Sequence, residues 1–237
     1  KMQENLNISH LNPKKILFYF ENVKDYIDQA IKQNRKEMII TLNTEMFIDS
    51  MEDLEFKKII DNSVVVLESV GICLLYSKKM GIKVEPVNGI EIAQEIVKSG
   101  YRVFILGTKE SIVRKAVENL RKLYENCNIV GYNDGYFADE ERVIEKINLS
   151  GPEVLLVGMG SPKQEKWIYK NIDRLNFNVA IGIGGSIDVW AGVYKRAPFV
   201  LRKMKLEWMY RILSDIRRIP RFIKILKFII LMFTRRI

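Results

Sequence analysis

EVLLVGMGSPKQEKWI, residues 153–168, is the stretch on which the fold turns. Glu153–Val157 is a short, almost wholly apolar run, the pattern of a strand buried on both faces. It ends in Gly158-Met159-Gly160, and Ser161 with Pro162 then opens a helix, Ser as N-cap and Pro at the first helical position. One strand-to-helix unit is therefore legible in sixteen residues. The same punctuation recurs on both sides. Strand-like runs stand at Met38–Leu42, Ser63–Leu67, Arg102–Leu106, Cys127–Val130 and Asn178–Ile183. Helical patterns lie between them at about 22–34, 44–60, 89–99, 109–125, 139–148 and 162–175. Apolar strands alternating with amphipathic helices predict an α/β fold, a Rossmann-like, mostly parallel sheet with helices on both faces.

Ligands of such sheets bind at the carboxyl ends of the strands, so the residues that follow each strand come next. They are TLNTE (41–45), Glu68-Ser69, GTKES (107–111), GYNDGYF (131–137), GMGSPKQE (158–165) and GIGGSIDVWAG (182–192). Gly107, Gly158, Gly160, Gly184 and Gly185 allow a close backbone approach to a ligand. Free N–H groups at the start of the 162–175 helix, with Lys163, suit a phosphate. Gln164 has two readings here: a group facing the ligand, or half of an S-x-x-Q capping box with Ser161. Asp188 can accept hydrogen bonds from ribose or sugar hydroxyls, or cap a short helix. Glu68 ends an apolar strand, a place where an acid serves either a reaction or a structural ion pair.

Several chemistries are disfavoured. The dinucleotide fingerprint needs G-x-G-x-x-G, but Gly158-x-Gly160 is followed by Lys163 and Gly182-x-Gly184 by Ile187. The only histidine is His10, which removes His-based metal sites and Ser-His triads. Cys73 and Cys127 match no metal or redox spacing. No D-x-D follows a strand, so neither a metal nor any other cofactor is expected.

The net charge of +9 is concentrated at one end. Residues 195–237 hold thirteen Lys or Arg against Glu207 and Asp215, so the first 194 residues sum to −2. Residues 1–195 are thus expected to form the α/β domain and 196–237 a basic helical appendage. Within it Arg211, Arg218 and Arg221 fall on one side of a continuous helix, where three guanidiniums could meet a diphosphate. Asp215-Ile216 and Pro220 interrupt that pattern, Pro220 breaking the helix between Arg218 and Arg221. The run from Phe222 to Phe233 is too short to span a bilayer but suits an interfacial helix on an anionic membrane. Its alternative is a helix packed on the globule or in an oligomer interface. The opening residues lack an apolar signal segment, so a cytoplasmic, peripheral location on the inner membrane face is expected. Nucleic acid is disfavoured as a partner, because the tail is rich in aliphatics and has no binding motif.

Taken together, TLNTEMF, FILG, GYNDGYF, VGMGSPKQEKWI, GIGGSIDVWAG, KRAP and LEWMYR resemble the WecG/TagA/CpsF family of bacterial glycosyltransferases, in family order from about residue 38 to 221. The resemblance implies inverting, metal-independent transfer of N-acetylmannosamine or a related hexosamine. The donor it implies is a UDP-sugar and the acceptor N-acetylglucosamine on undecaprenyl diphosphate, a polyprenyl-diphosphate carrier. Such steps build wall teichoic acid and related polymers. It further implies that Thr41 and Asn43 line the active site, that Gln164 and Asp188 face the nucleotide-sugar, and that Arg211, Arg218 and Arg221 take part in catalysis. Glu68 stands where the family has its proposed catalytic Asp, and Glu91 also replaces an Asp. That departure leaves a degenerate, non-catalytic member as one alternative; a nucleic-acid-binding protein using the basic tail is the other. Were Glu68 structural, Asp134 would be the next candidate for the base.

Overall fold

The computed structural model describes residues 11–194, Pro198 and 219–234. Seven strands form one sheet: β1 (Lys15–Leu17), β2 (Glu37–Leu42), β3 (Val64–Leu67), β4 (Val103–Gly107), β5 (Ile129–Asn133), β6 (Val154–Gly158) and β7 (Val179–Gly182). Their order is β1-β3-β2-β7-β6-β4-β5, and every pairing is parallel. The helices are α1 (Phe20–Lys32), α2 (Thr44–Glu52), α3 (Leu54–Asp61), α4 (Val70–Met80), α5 (Gly89–Lys98), α6 (Glu110–Leu123), α7 (Glu140–Ser150), α8 (Lys163–Asn171), α9 (Ser186–Trp190) and α10 (Ile219–Thr234). The α/β, Rossmann-like expectation holds.

The strands are apolar on both faces because both are covered. Ile40, Leu42, Val65, Leu67, Phe104, Leu106, Leu155 and Val157 point into a core shared with α2, α3, α4, α7 and α8. Their strand neighbours Ile39, Val64, Val66, Val103, Ile105, Val154 and Leu156 point into a second core with α1, α5, α6 and α9. This is the period of two expected of a strand.

Four local readings are corrected or completed. The helix expected over 44–60 is two helices, because Asp53 is extended and its side chain accepts the Phe56 N–H at 2.9 Å, starting a new one. Helix α4 lies in a stretch for which the sequence reading names no element; Ser69 caps it, and Leu74 on its exposed side blurs the apolar stripe. Strand β5 runs through Gly131, Tyr132 and Asn133, which the sequence assigns to a loop. Helix α8 begins at Lys163 with no side-chain cap, so the Ser161–Gln164 capping box does not form.

Helix α10 packs on α2. Phe228 is 3% exposed and meets Phe47 edge-on at a centroid distance of 5.8 Å. Lys224 pairs with Asp49 at 2.5 Å, and Lys227 with Glu52, whose carboxyl it holds below the usual range. Pro220 is the second residue of α10 as described, and Arg218 before it lies outside the described residues. No helix among the described residues is long and apolar enough to cross a membrane.

Candidate active site

The order of the sheet makes the site. After β2 and β6 the chain turns to helices on one face, and after β7 and β4 to helices on the other. Adjacent strands that part in this way leave a crevice at their carboxyl ends. Thr41 of β2 and Glu68 just beyond β3 lie side by side on its rim. A Cβ built on Gly89 would stand 3.0 Å from Glu68 Oε1 and 3.1 Å from Thr41 Oγ1, so both converge on the start of α5. Glu68 is half-buried, and its Oε1 accepts the Gly89 N–H at 3.0 Å. A carboxylate at a helix N-terminus is favoured by the dipole and by the open N–H groups.

Asn43 caps α2, its Oδ1 accepting the Met46 N–H at 3.0 Å. Ser69 joins the starts of α2 and α4: its Oγ accepts the Thr44 N–H at 3.1 Å and meets Thr44 Oγ1 at 2.8 Å. The two helices that flank Thr41 and Glu68 are therefore held to each other at the rim.

Across the crevice, Gly107 and Gly158 are register partners in β4 and β6. Gly107 has φ +147°, and an added Cβ would come within 2.3 Å of the Gly158 carbonyl oxygen. Thr108 follows with φ 49° and donates its hydroxyl to Asp188 Oδ1 at 3.2 Å. Asp188 is thus tied to the 107–111 loop and does not cap α9, whose N-cap is Gly185. Lys163 is exposed; its Nζ reaches the Gly135 carbonyl at 3.4 Å and lies 5.8 Å from the Tyr136 ring centroid.

Gln164 is buried at 4% exposure. Its Oε1 accepts N–H groups from Gly160 at 3.2 Å and Gly184 at 3.1 Å, joining the loops after β6 and β7. Those two N–H groups are thereby occupied. Gly185 lies at the exposed tip of the second loop with open space around it. Asp134 ends β5, five strand steps from β3, a separation of about 20–25 Å at the usual strand spacing. It does not share a site with Glu68. Arg211 and Arg218 lie outside the described residues, and so does the side chain of Arg221.

Sequence reasoning missed Thr108 and Glu165. Glu165 is 2% exposed beside Gln164, and burial raises its pKa, with the Glu68 charge adding to the rise against hydrogen bonds from Gln164 and Ser161. The signal was present: with Ile168, Glu165 falls on the inward stripe of α8, where an acid is out of place.

A crevice with an acid on one rim and glycine loops on the other suits group transfer, and comparison with known proteins places the chain among transferases. Residues 16–237 match the glycosyl transferase WecG/TagA/CpsF family. An N-acetylglucosaminyldiphosphoundecaprenol N-acetyl-beta-D-mannosaminyltransferase of Staphylococcus aureus (strain MW2) is 31% identical over 206 residues, 85% of this chain and 80% of its own. The protein of the same name from Bacillus subtilis (strain 168) is 30% identical over 227 residues, 94% of this chain and 87% of its own. A match that runs from within β1 through the rest of the sheet and both rims of the crevice leaves one assignment: the chain belongs to the WecG/TagA/CpsF family of glycosyl transferases.

Proposed function

We propose that this chain transfers an N-acetylmannosaminyl group from UDP to N-acetylglucosamine on undecaprenyl diphosphate, with inversion and without a metal. The observation that carries the reading is the pairing of Glu68 and Thr41 on one rim of the crevice with the Gln164-joined glycine loops on the other. In this reading Glu68 takes the proton of the acceptor hydroxyl as its oxygen attacks the anomeric carbon. The bond from that carbon to the UDP oxygen breaks, and the diphosphate leaves with the electron pair. Asp188 and the loops bearing Gly107, Gly158 and Gly184 bind the nucleotide, and Lys163 with Arg211, Arg218 and Arg221 offsets the diphosphate charge. Oxyanion-type stabilisation of this kind is typically worth about 3–4 kcal/mol per donor.

The expected result of a thermal-shift screen is selective stabilisation by UDP over GDP, CMP and NAD. At one hundred times its dissociation constant a ligand adds about 2.7 kcal/mol, roughly 5–10 °C for a chain of this size. Equal shifts with all four, or a shift with NAD alone, would remove the donor assignment.

We further infer that residues 196–237 act as an appendage that closes over the crevice and rests on an anionic membrane. Support comes from the face of α10 turned away from α2: Ile223 (60% exposed), Leu226, Ile230 and Phe233 (83% exposed) form one stripe at helical spacing. Replacing Ile230 and Phe233 by Asp leaves the Phe228 seat intact. It should cut sedimentation with phosphatidylglycerol vesicles at least about tenfold, since burying one such side chain is worth about 1.5–3 kcal/mol. Undiminished sedimentation would show that the stripe is not the membrane face.

A further inference from the structure

Glu165 has one oxygen engaged and one left over. Its Oε1 accepts a hydrogen from Gln164 Nε2 at 2.6 Å, while Oε2 is buried without a partner at hydrogen-bond geometry among the described residues. The pair sits against the end of β7 in space that only glycine leaves: a Cβ on Gly182 would lie 2.4 Å from Gln164 Nε2 and 2.6 Å from Glu165 Oε1. On its other side the Gln164 amide holds the Gly160 and Gly184 N–H groups. A side-chain amide has two orientations related by a half-turn, and its hydrogen-bond partners choose between them. Here two N–H donors ask for its oxygen on one side and one carboxyl oxygen asks for its NH2 on the other.

We propose that Glu165 is a positioning residue for the nucleotide donor, fixing the Gln164 amide so that the Gly160 and Gly184 loops stand at the separation the diphosphate needs. The inference rests on the reading above that these loops receive a sugar nucleotide. What the position requires is an acceptor oxygen and no charge. Burial penalises an ionised carboxylate here and the nearby Glu68 charge adds to the penalty, outweighing the hydrogen bonds from Gln164 and Ser161, so the neutral acid is favoured.

Substitutions in the full chain separate position from charge. Glu165→Met keeps length and packing but removes the acceptor, leaving the Gln164 NH2 unpaired; the expected change is a rise of about tenfold or more in KM for UDP-N-acetylmannosamine, with a smaller change in kcat. Glu165→Gln keeps the acceptor oxygen and should stay within about threefold of wild type. A second readout does not depend on turnover. Amide exchange of Gly160 and Gly184, followed by NMR, should speed up at least about tenfold in Glu165→Met and hold in Glu165→Gln. A KM within twofold of wild type in Glu165→Met, or unchanged exchange, overturns the proposal. So does a Glu165→Gln chain as impaired as Glu165→Met, which would assign the role to the charge. Because Glu165→Gln differs from the native residue by one atom, it remains readable if Glu165→Met does not fold. Absence of transfer by the wild-type chain would instead count against the functional reading, and the exchange measurement would still decide the role of Glu165.

Discussion

Glu68→Gln is expected to lower the rate of sugar transfer about 10²–10⁴-fold, the usual worth of a general base, while affinity for UDP stays within about twofold. The geometry explains why the two effects should separate. Glu68 sits at the end of β3, across the crevice from the glycine loops, and its Oε1 accepts the Gly89 N–H at the start of α5. A glutamine can present its own Oε1 to that N–H, so the start of α5 should keep its partner and the fold should survive. What disappears is the group that takes a proton in the proposed mechanism. Glu68→Asp is the companion variant. Shortening the side chain by one carbon–carbon bond draws the carboxylate back from Gly89, and a misplacement of about 1 Å can cost roughly 100-fold in rate. A fall in Glu68→Asp shows that the site is adjusted to glutamate; a rise shows that aspartate is the better base here. Full turnover in Glu68→Gln would make Glu68 a structural cap of α5. Asp134 could not replace it in place, because it lies at the far edge of the sheet.

Gly107→Ala should be the most damaging single-methyl change in the chain. Its φ of +147° lies in the region that side chains disfavour, a cost of about 1–3 kcal/mol. The added Cβ would also stand 2.3 Å from the Gly158 oxygen and 2.5 Å from its carbon, and both belong to a paired central strand that cannot move aside. Overpacking adds about 1–3 kcal/mol, for an expected loss of about 2–6 kcal/mol in urea denaturation. Gly185→Ala is the contrast. Among the described residues nothing lies within 4 Å of its built Cβ, and its φ is −82°, so stability should change by less than about 0.5 kcal/mol. A Gly107→Ala chain within 1 kcal/mol of wild type would mean that β4 and β6 do not meet as described.

The two changes probe parts of the molecule that differ in how openly the sequence displays them. Strands β2, β3, β4, β6 and β7 could be read directly because each is apolar on both faces and ends in a polar or glycine-bearing loop. Strand β1 has only three residues and exists through its pairing with β3, a long-range event that no local pattern shows. Asp53 looked like one more polar residue on a long helix until its extended backbone made it a cap. In the site, Thr41, Glu68 and the glycines were legible as strand ends. The joining of Gln164 to Gly184 and of Thr108 to Asp188 was not, since each links segments that only the sheet order brings together. Gln164 illustrates the limit: its spacing from Ser161 fits a capping box, yet its amide serves Gly160, Gly184 and Glu165.

The central claim is tested most directly by incubating the full chain with UDP-N-acetylmannosamine and a synthetic lipid diphosphate bearing N-acetylglucosamine, then determining product mass and anomeric configuration by mass spectrometry and NMR. The account predicts one added N-acetylmannosaminyl residue in β linkage from the α-linked donor, UDP released in equal amount, and the same yield in the presence of a chelator. Unchanged acceptor under these conditions, an α-linked product, or dependence of the yield on a divalent metal would contradict it.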